Sequence, residues 1–335
     1  MESVNRSDLI RFDFDKKRIG LTDPVAMPKA SGFLWNPKMM LQMNCRGYAT
    51  AQFMQPEPAK YSQSPVNEAQ GFMQPEPEYF SHSPGRFFYV KDIESGDTFS
   101  LPYEPMRDKS GRFEFSQGNQ DIHWRIIKNG LEFIITVQLP VDQTVELWSV
   151  SINNTGDVER NLAIYPCFSI GYMSWMNQSA DFDDDLNAVV AKKVSPYQKV
   201  EEYFSRSQLR EYSFLLSDMT VTSWTTSLSD FIGQGDLSRP DALQHDQLNN
   251  QRALYETPVA VVRHELCLKA GNSSSCHYVF GAAVDMEEIS ALKALYLDDR
   301  EGFTKASQQY ASYINNAEGC IQEHTPDERF NQMVN

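Results

Sequence analysis

The densest set of side chains that could do chemistry is the run Asp181-Phe182-Asp183-Asp184-Asp185. Two carboxyl groups at short range are what general-acid work on a glycosidic bond requires. Alternating oxygens could also begin a calcium loop, but the glycine and distal glutamate of an EF-hand do not follow. The bland reading is a solvated acidic loop leading into a strand over 187–191. Just upstream, Gly171 to Ala180 reads GYMSWMNQSA. The indole of Trp175 beside the amides of Asn177 and Gln178 is suited to sugar hydroxyls, because an amide both donates and accepts. A buried loop with satisfied amides would carry the same residues.

Other chemistries lack a signature. The six histidines are isolated, with no H-E-x-x-H and no i, i+4 pair, so no metal site is expected. The five cysteines are scattered without zinc spacing and read as reduced thiols of a cytoplasmic protein. No G-x-G-x-x-G helix opening, Walker A sequence or G-x-S-x-G elbow is present. A formal charge of -15 disfavours nucleic acid and anionic membranes as partners. With a mean hydropathy of -0.48 and no long apolar run, no membrane helix is expected. The first twenty residues lack the apolar centre of a secretory signal.

These residues need positioning, and the elements around them read as strands. Phe87 to Asp92 and Thr98 to Ser100 flank a turn at Gly96, and 121–127 and 131–139 flank Asn129-Gly130. Residues 146–153 alternate, with Glu146, Trp148, Val150 and Ile152 on one face. Two further pairs, ending with 257–268 and 273–282, complete the pattern of an all-β sandwich or barrel. The hexapeptide FMQPEP at 53–58 recurs at 72–77, and its prolines place both copies in extended rim or edge loops. After Asp285 the pattern turns helical over 286–296 and 300–322, with Tyr310, Tyr313, Ile314 and Ala317 on one face.

Several of these segments resemble glycoside hydrolase family 94, the inverting β-glucoside phosphorylases. Gly85 to Gly96, Glu146 to Thr155, Phe231 to Leu243 with its spaced Gly233, Pro240 and Ala242-Leu243, and Thr325 to Asn335 carry the likeness, collinear over about residues 28–335. Within the family, the segments at 32–36, 43–49 and 174–180 and the doubled FMQPEP look most like the cellobionic acid phosphorylases. The resemblance implies a mainly β fold: a β-supersandwich over 1–285, then a short α-helical linker over 286–335 leading to an (α/α)6 barrel that this chain does not include. It implies that the catalytic acid and phosphate-binding residues lie in that barrel, so no catalytic residue is expected here. The chain alone would then be inactive, supporting dimerisation and the acceptor-sugar rim.

The same resemblance implies glucosyl transfer from a β-glucoside or glucosyl-gluconate to inorganic phosphate, without a cofactor, in a homodimer or with a separate barrel chain. Gln178 foremost, then Trp175 and Asn177, are expected at the acceptor. Arg46 could grip the gluconate carboxylate in a bidentate way. Without a barrel, the apolar face of Tyr310, Tyr313 and Ile314 is expected to be exposed. The alternative function is a free-standing carbohydrate-binding or scaffold module. A third is a hydrolase with its acid in Asp181 to Asp185.

Overall fold

The computed structural model describes residues 9–53, 85–170, 179–192, 210–256, 258–299, 301–318 and 322–334. The described residues form three antiparallel sheets. The amino-terminal strands are β1 (Ile10–Asp13), β2 (Arg18–Leu21), β3 (Ser31–Trp35), β4 (Met39–Asn44) and β5 (Ala49–Phe53). The central ones are β6 (Arg86–Asp92), β7 (Thr98–Leu101), β8 (Arg112–Gln117), β9 (Ile122–Lys128), β10 (Leu131–Gln138), β11 (Val145–Asn154) and β12 (Arg160–Ser169). Then follow β13 (Ser179–Asp183), β14 (Ala188–Lys192), β15 (Tyr212–Ser217), β16 (Ser223–Ser227), β17 (Ala253–Leu254), β18 (Pro258–Leu268) and β19 (Ser273–Ala283).

An eleven-stranded sheet has the order β1-β2-β8-β9-β10-β11-β19-β15-β14-β13-β17. A five-stranded sheet, β16-β18-β12-β6-β7, packs across it, and β3-β4-β5 forms a third. The expected mainly β, supersandwich-like architecture is therefore what the chain adopts.

Local chemistry explains the central meander. Asn129 (φ 51°) and Gly130 (φ 74°) supply the two left-handed residues of a tight hairpin, and β10 leaves it in register with β9, Leu131 opposite Lys128. Burial alternates strictly along both strands, which places Ile122, Trp124, Phe133, Ile135 and Val137 in the main core. Burial of each such side chain contributes about 1.5–3 kcal/mol.

Strand β11 departs from simple alternation in its first half, where both faces are buried. Its inward face carries Glu146, Trp148, Val150 and Ile152, opposite Phe280, Tyr278, Cys276 and Ser274 of β19. Its outward residues Val145 and Leu147 are covered by helix, beneath Ile289 and Leu292 of α2 (Met286–Lys293). Asp285 caps that helix, accepting from the Glu288 amide at 2.8 Å. A π-helical turn, Ala294–Asp298, leads towards α3 (Gly302–Asn315), and α4 (Glu328–Val334) follows.

The five-stranded sheet is also buried on both faces. Phe88, Val90, Ile164 and Phe168 enter the main core, whereas Tyr89, Tyr165 and Cys167 face a second layer. That layer is the Phe231 to Leu243 segment, made of α1 (Leu228–Ile232), a tight loop and a 3-10 turn over Asp241–Gln244. The Tyr89 hydroxyl donates to the Leu237 carbonyl at 2.6 Å. Gly235 is required in this loop because a Cβ there would meet the Arg239 carbonyl oxygen at 2.0 Å.

Two expectations are corrected. The α3 face holding Tyr310 and Ile314 is not exposed: these residues are 0% and 2% accessible and belong to the main core. Tyr310 donates its hydroxyl to the Trp35 carbonyl at 2.8 Å, and half-buried Tyr313 meets the Trp35 indole edge-on at 6.1 Å. The sandwich itself thus supplies the partner surface for this face. Likewise the acidic run is not all loop. Asp181 and Asp183 are in β13, and only Asp184 onward forms the turn into β14.

Candidate functional site

The two ends of the sandwich differ. At one end the strands close in short turns, at Asn129-Gly130, at 155–159, at 269–272 and at 93–97. At the other end Arg86, Ser169, Ser179, Lys192, Tyr212, Pro258 and Ala283 begin or finish strands, and the register brings these ends together. The longer connections therefore leave from one rim, the usual place for binding residues on a rigid β scaffold.

Beneath this rim lies a charged pair with no exposed surface. Glu146 occupies the inward face of β11 and Arg86 starts β6 in the opposing sheet, both at 0% accessibility. Arg86 donates through Nη2 to Glu146 Oε1 at 2.9 Å and through Nε to Oε2 at 3.1 Å. Trp148 Nε1 donates to the same Oε2 at 2.9 Å, and the guanidinium lies over the Phe280 ring at 4.5 Å. Each remaining polar group has a role: Arg86 Nη1 reaches the Gly85 carbonyl, and the Gly85 amide is held by Ser169 Oγ. The result is a forked, fully hydrogen-bonded clamp between the sheets.

Arg46 lies nearby, in the turn between β4 and β5. Its backbone amide and that of Tyr48 donate to Asn44 Oδ1 at 2.9 and 3.0 Å. Gly47 (φ 102°) allows the chain to reverse there, and its carbonyl accepts from the Arg86 amide. The Arg46 guanidinium donates to Glu104 Oε1 at 3.0 Å and to the Pro24 carbonyl at 2.9 Å, and it lies over the Tyr103 ring. Buried Glu104 also accepts from exposed Arg107. The carboxylate that Arg46 contacts here is thus one of the chain's own. Trp175, Asn177, Gln178 and both FMQPEP copies beyond Phe53 lie outside the described residues.

The acidic run directs its bonds locally. Asp183 Oδ1 accepts from the Leu186 amide, Asp181 Oδ1 from the Phe182 amide, and Asp181 faces Arg252 at 3.9 Å. These amide contacts build a hairpin, with Arg252 a described residue outside it that faces the run. Among the described residues, no group of three His, Cys, Asp or Glu side chains is placed to hold a metal.

Burial is the leading influence on the buried thiols and on His264. It pushes the Cys45 thiol up to about 12, against the opposing effect of Arg46, and Cys276 likewise to about 12. It depresses His264 to about 4, although Nδ1 hydrogen-bonds the Thr220 carbonyl. Raised thiols are poor nucleophiles, and these positions serve packing.

The rim is braced by Asn36, 1% exposed. Its Nδ2 donates to the Pro140 and Gln143 carbonyls at 2.7 and 2.8 Å, and its Oδ1 accepts from the Lys38 and Met39 amides at 2.8 Å. Asn36→Ala leaves buried backbone groups unpaired and is expected to cost about 2 kcal/mol. Urea unfolding should show a lower midpoint with an unchanged slope.

Comparison with known proteins agrees with the architecture. Residues 76–299 match the family model "Glycosyl hydrolase 94, supersandwich domain". The chain is similar to cellobionic acid phosphorylase of Neurospora crassa, 46% identical over 327 residues, spanning 98% of this chain and 41% of that protein. It is similar to 3-O-beta-D-glucopyranosyl-beta-D-glucuronide phosphorylase of Paenibacillus borealis, 26% identical over 256 residues, 75% of this chain and 32% of that protein. The chain therefore spans well under half the length of these curated relatives. Among solved structures it resembles a bacterial glucoamylase complexed with acarbose, at a TM-score of 0.53 and 10% identity, covering 85% of this chain and 37% of that one. That likeness is one of fold alone.

Proposed function

We propose that this chain, which belongs to the glycosyl hydrolase 94 family through its supersandwich domain, is the non-catalytic β portion of an inverting β-glucoside phosphorylase. The observation that carries the reading is 46% identity to a cellobionic acid phosphorylase along 98% of the chain. The reaction class is transfer of a glucosyl unit from glucosyl-gluconate to inorganic phosphate, giving glucose 1-phosphate, with no cofactor. An inverting displacement needs a carboxylic acid at the glycosidic oxygen and phosphate on the opposite face. Of the acidic run, Asp181 and Asp183 accept from amides of their own hairpin. The chemistry is therefore assigned to a further (α/α)6 portion, and this chain to dimerisation and the acceptor rim.

At that rim, Gln178, Trp175 and Asn177 are assigned to the acceptor sugar. Arg46, its orientation held by Glu104, is the further residue assigned to the acceptor. Residues 286–335 act as the helical link towards the catalytic portion. The described cysteines are free thiols, which supports a reducing, cytoplasmic setting.

The test is direct. Purified chain with glucosyl-gluconate and phosphate is expected to release no glucose 1-phosphate. Adding a polypeptide equivalent to the remainder of the Neurospora relative is expected to start release, with sedimentation showing a dimer. Turnover by this chain alone would sink the division of labour, and a silent pair would sink the substrate assignment. Saturable β-glucoside binding with a silent pair would favour the free-standing carbohydrate-binding module instead.

A further inference from the structure

We propose that the groove between α3 and the loop at 139–144 is a binding site for a neutral oligosaccharide. The groove has a volume of about 370 Å³, within the range of small-ligand sites. The proposal rests on the carbohydrate reading above, but it concerns other residues than the acceptor residues named there.

The chemistry comes from the outward side of α3. Its inward residues Ala306, Tyr310 and Ile314 are fixed in the two cores. Gln308, Gln309 and Ser312 fall on the opposite side at helical spacing and line the groove. No described residue engages the side-chain amide of Gln308 or Gln309. Each such amide offers two donors and an acceptor, the pattern that complements a sugar hydroxyl, which both donates and accepts. The ring of Tyr313 and the side chain of Val141 add apolar surface for the C–H face of a pyranose.

The walls are set before any ligand arrives. Asn36 ties down Pro140 and Gln143 on one side. On the other, the Tyr310 bond to the Trp35 carbonyl and the edge-on Trp35–Tyr313 contact hold α3 in place. Prior order of this kind lowers the entropic cost of binding.

Charge selects the class of sugar. Lys305 at the groove edge already faces Asp299 at 3.2 Å and Glu301 at 3.0 Å. Glu318, also on the lining, adds an anion. A sugar acid would find its cation compensated and a carboxylate nearby, so uncharged pyranose units fit better.

Calorimetry on the full 335-residue chain tests this with cellotetraose and, for comparison, cellobionate. Saturable binding of cellotetraose is expected, weaker for cellobionate. Gln308→Ala/Gln309→Ala should reduce cellotetraose affinity at least about tenfold while thermal unfolding stays unchanged. Binding that is indifferent to the double substitution, or no binding at millimolar sugar, overturns the proposal. The readout is binding to this chain alone, whereas the reading above is scored by glucose 1-phosphate from the pair. Either can fail without the other.

Discussion

Replacing Glu146 with Gln or Arg86 with Met is expected to destabilise the chain by about 3–5 kcal/mol, because each leaves a buried group without its partner. For Arg86→Met the stranded group is a carboxylate at 0% accessibility, still touched by Trp148 Nε1 but without its cation. For Glu146→Gln it is a guanidinium packed over Phe280, which keeps only weaker dipoles. The double variant Arg86→Met/Glu146→Leu removes both charges and fills similar space. Its loss should fall well below the sum of the single losses, limited mainly by the unpaired Trp148 indole N–H at about 1–3 kcal/mol. Denaturant midpoints for the native chain, Arg86→Met, Glu146→Leu and the double variant form a cycle whose interaction energy measures the clamp. Additive losses would mean that the two side chains do not act as a pair.

The clamp also marks the boundary of what could be read from residue order. Glu146 stands among Trp148, Val150 and Ile152 on a face that alternation assigns to the core. A charge in that position signals that a cation must lie opposite, since a lone buried carboxylate is too costly to keep. The signal does not say which of the thirty basic residues supplies it. Arg86 qualifies because β6 lies beside β12 in the opposing sheet, with Arg86 opposite Phe168. That pairing joins residues far apart in the chain, and no local propensity encodes it.

The same distinction separates the other elements. The β9–β10 hairpin was legible because Asn129-Gly130 is local turn chemistry. Strand β4 was not, since its residues Met39, Met40 and Met43 have no strong β preference and no Asn-Gly turn joins it to β3. On α3 the periodicity correctly placed Tyr310 and Ile314 on one apolar face. Periodicity states that a face is buried and leaves its partner open. That partner includes Trp35, 275 residues earlier. Arg46 was legible as a guanidinium able to grip a carboxylate, but Glu104 as its partner depends on how the β4–β5 turn meets the loop after β7. Side-chain type indicates chemistry, and only the tertiary register decides whether the chain satisfies it internally.

Acidification should weaken the fold between about pH 6.5 and 4 through His264, which is fully buried. Its ring is neutral: Nδ1 donates to the Thr220 carbonyl at 2.9 Å, and Nε2 lies 3.4 Å from Ser217 Oγ, suited to accept from that hydroxyl. Burial lowers its pKa to about 4, against about 6.5 for an exposed imidazole. Between those values the unfolded chain takes up a proton that the folded chain refuses, so stability rises with pH through this window. The contribution is complete above about pH 6.5 and is lost as pH falls towards 4, an effect of about 3 kcal/mol. His123 is lowered in the same direction, first by burial, and adds to the slope. Asp108, held at about 2 as burial is outweighed by its contacts with Lys128 and Ser110 together, loses its contribution only at lower pH. The two effects therefore separate on the pH axis. Denaturant midpoints at pH 7, 6, 5 and 4.5 should fall progressively for the native chain. His264→Gln, though less stable at pH 7 through altered packing, should show a much flatter profile across the same range. An equally steep profile in that variant would assign the acid sensitivity to other groups.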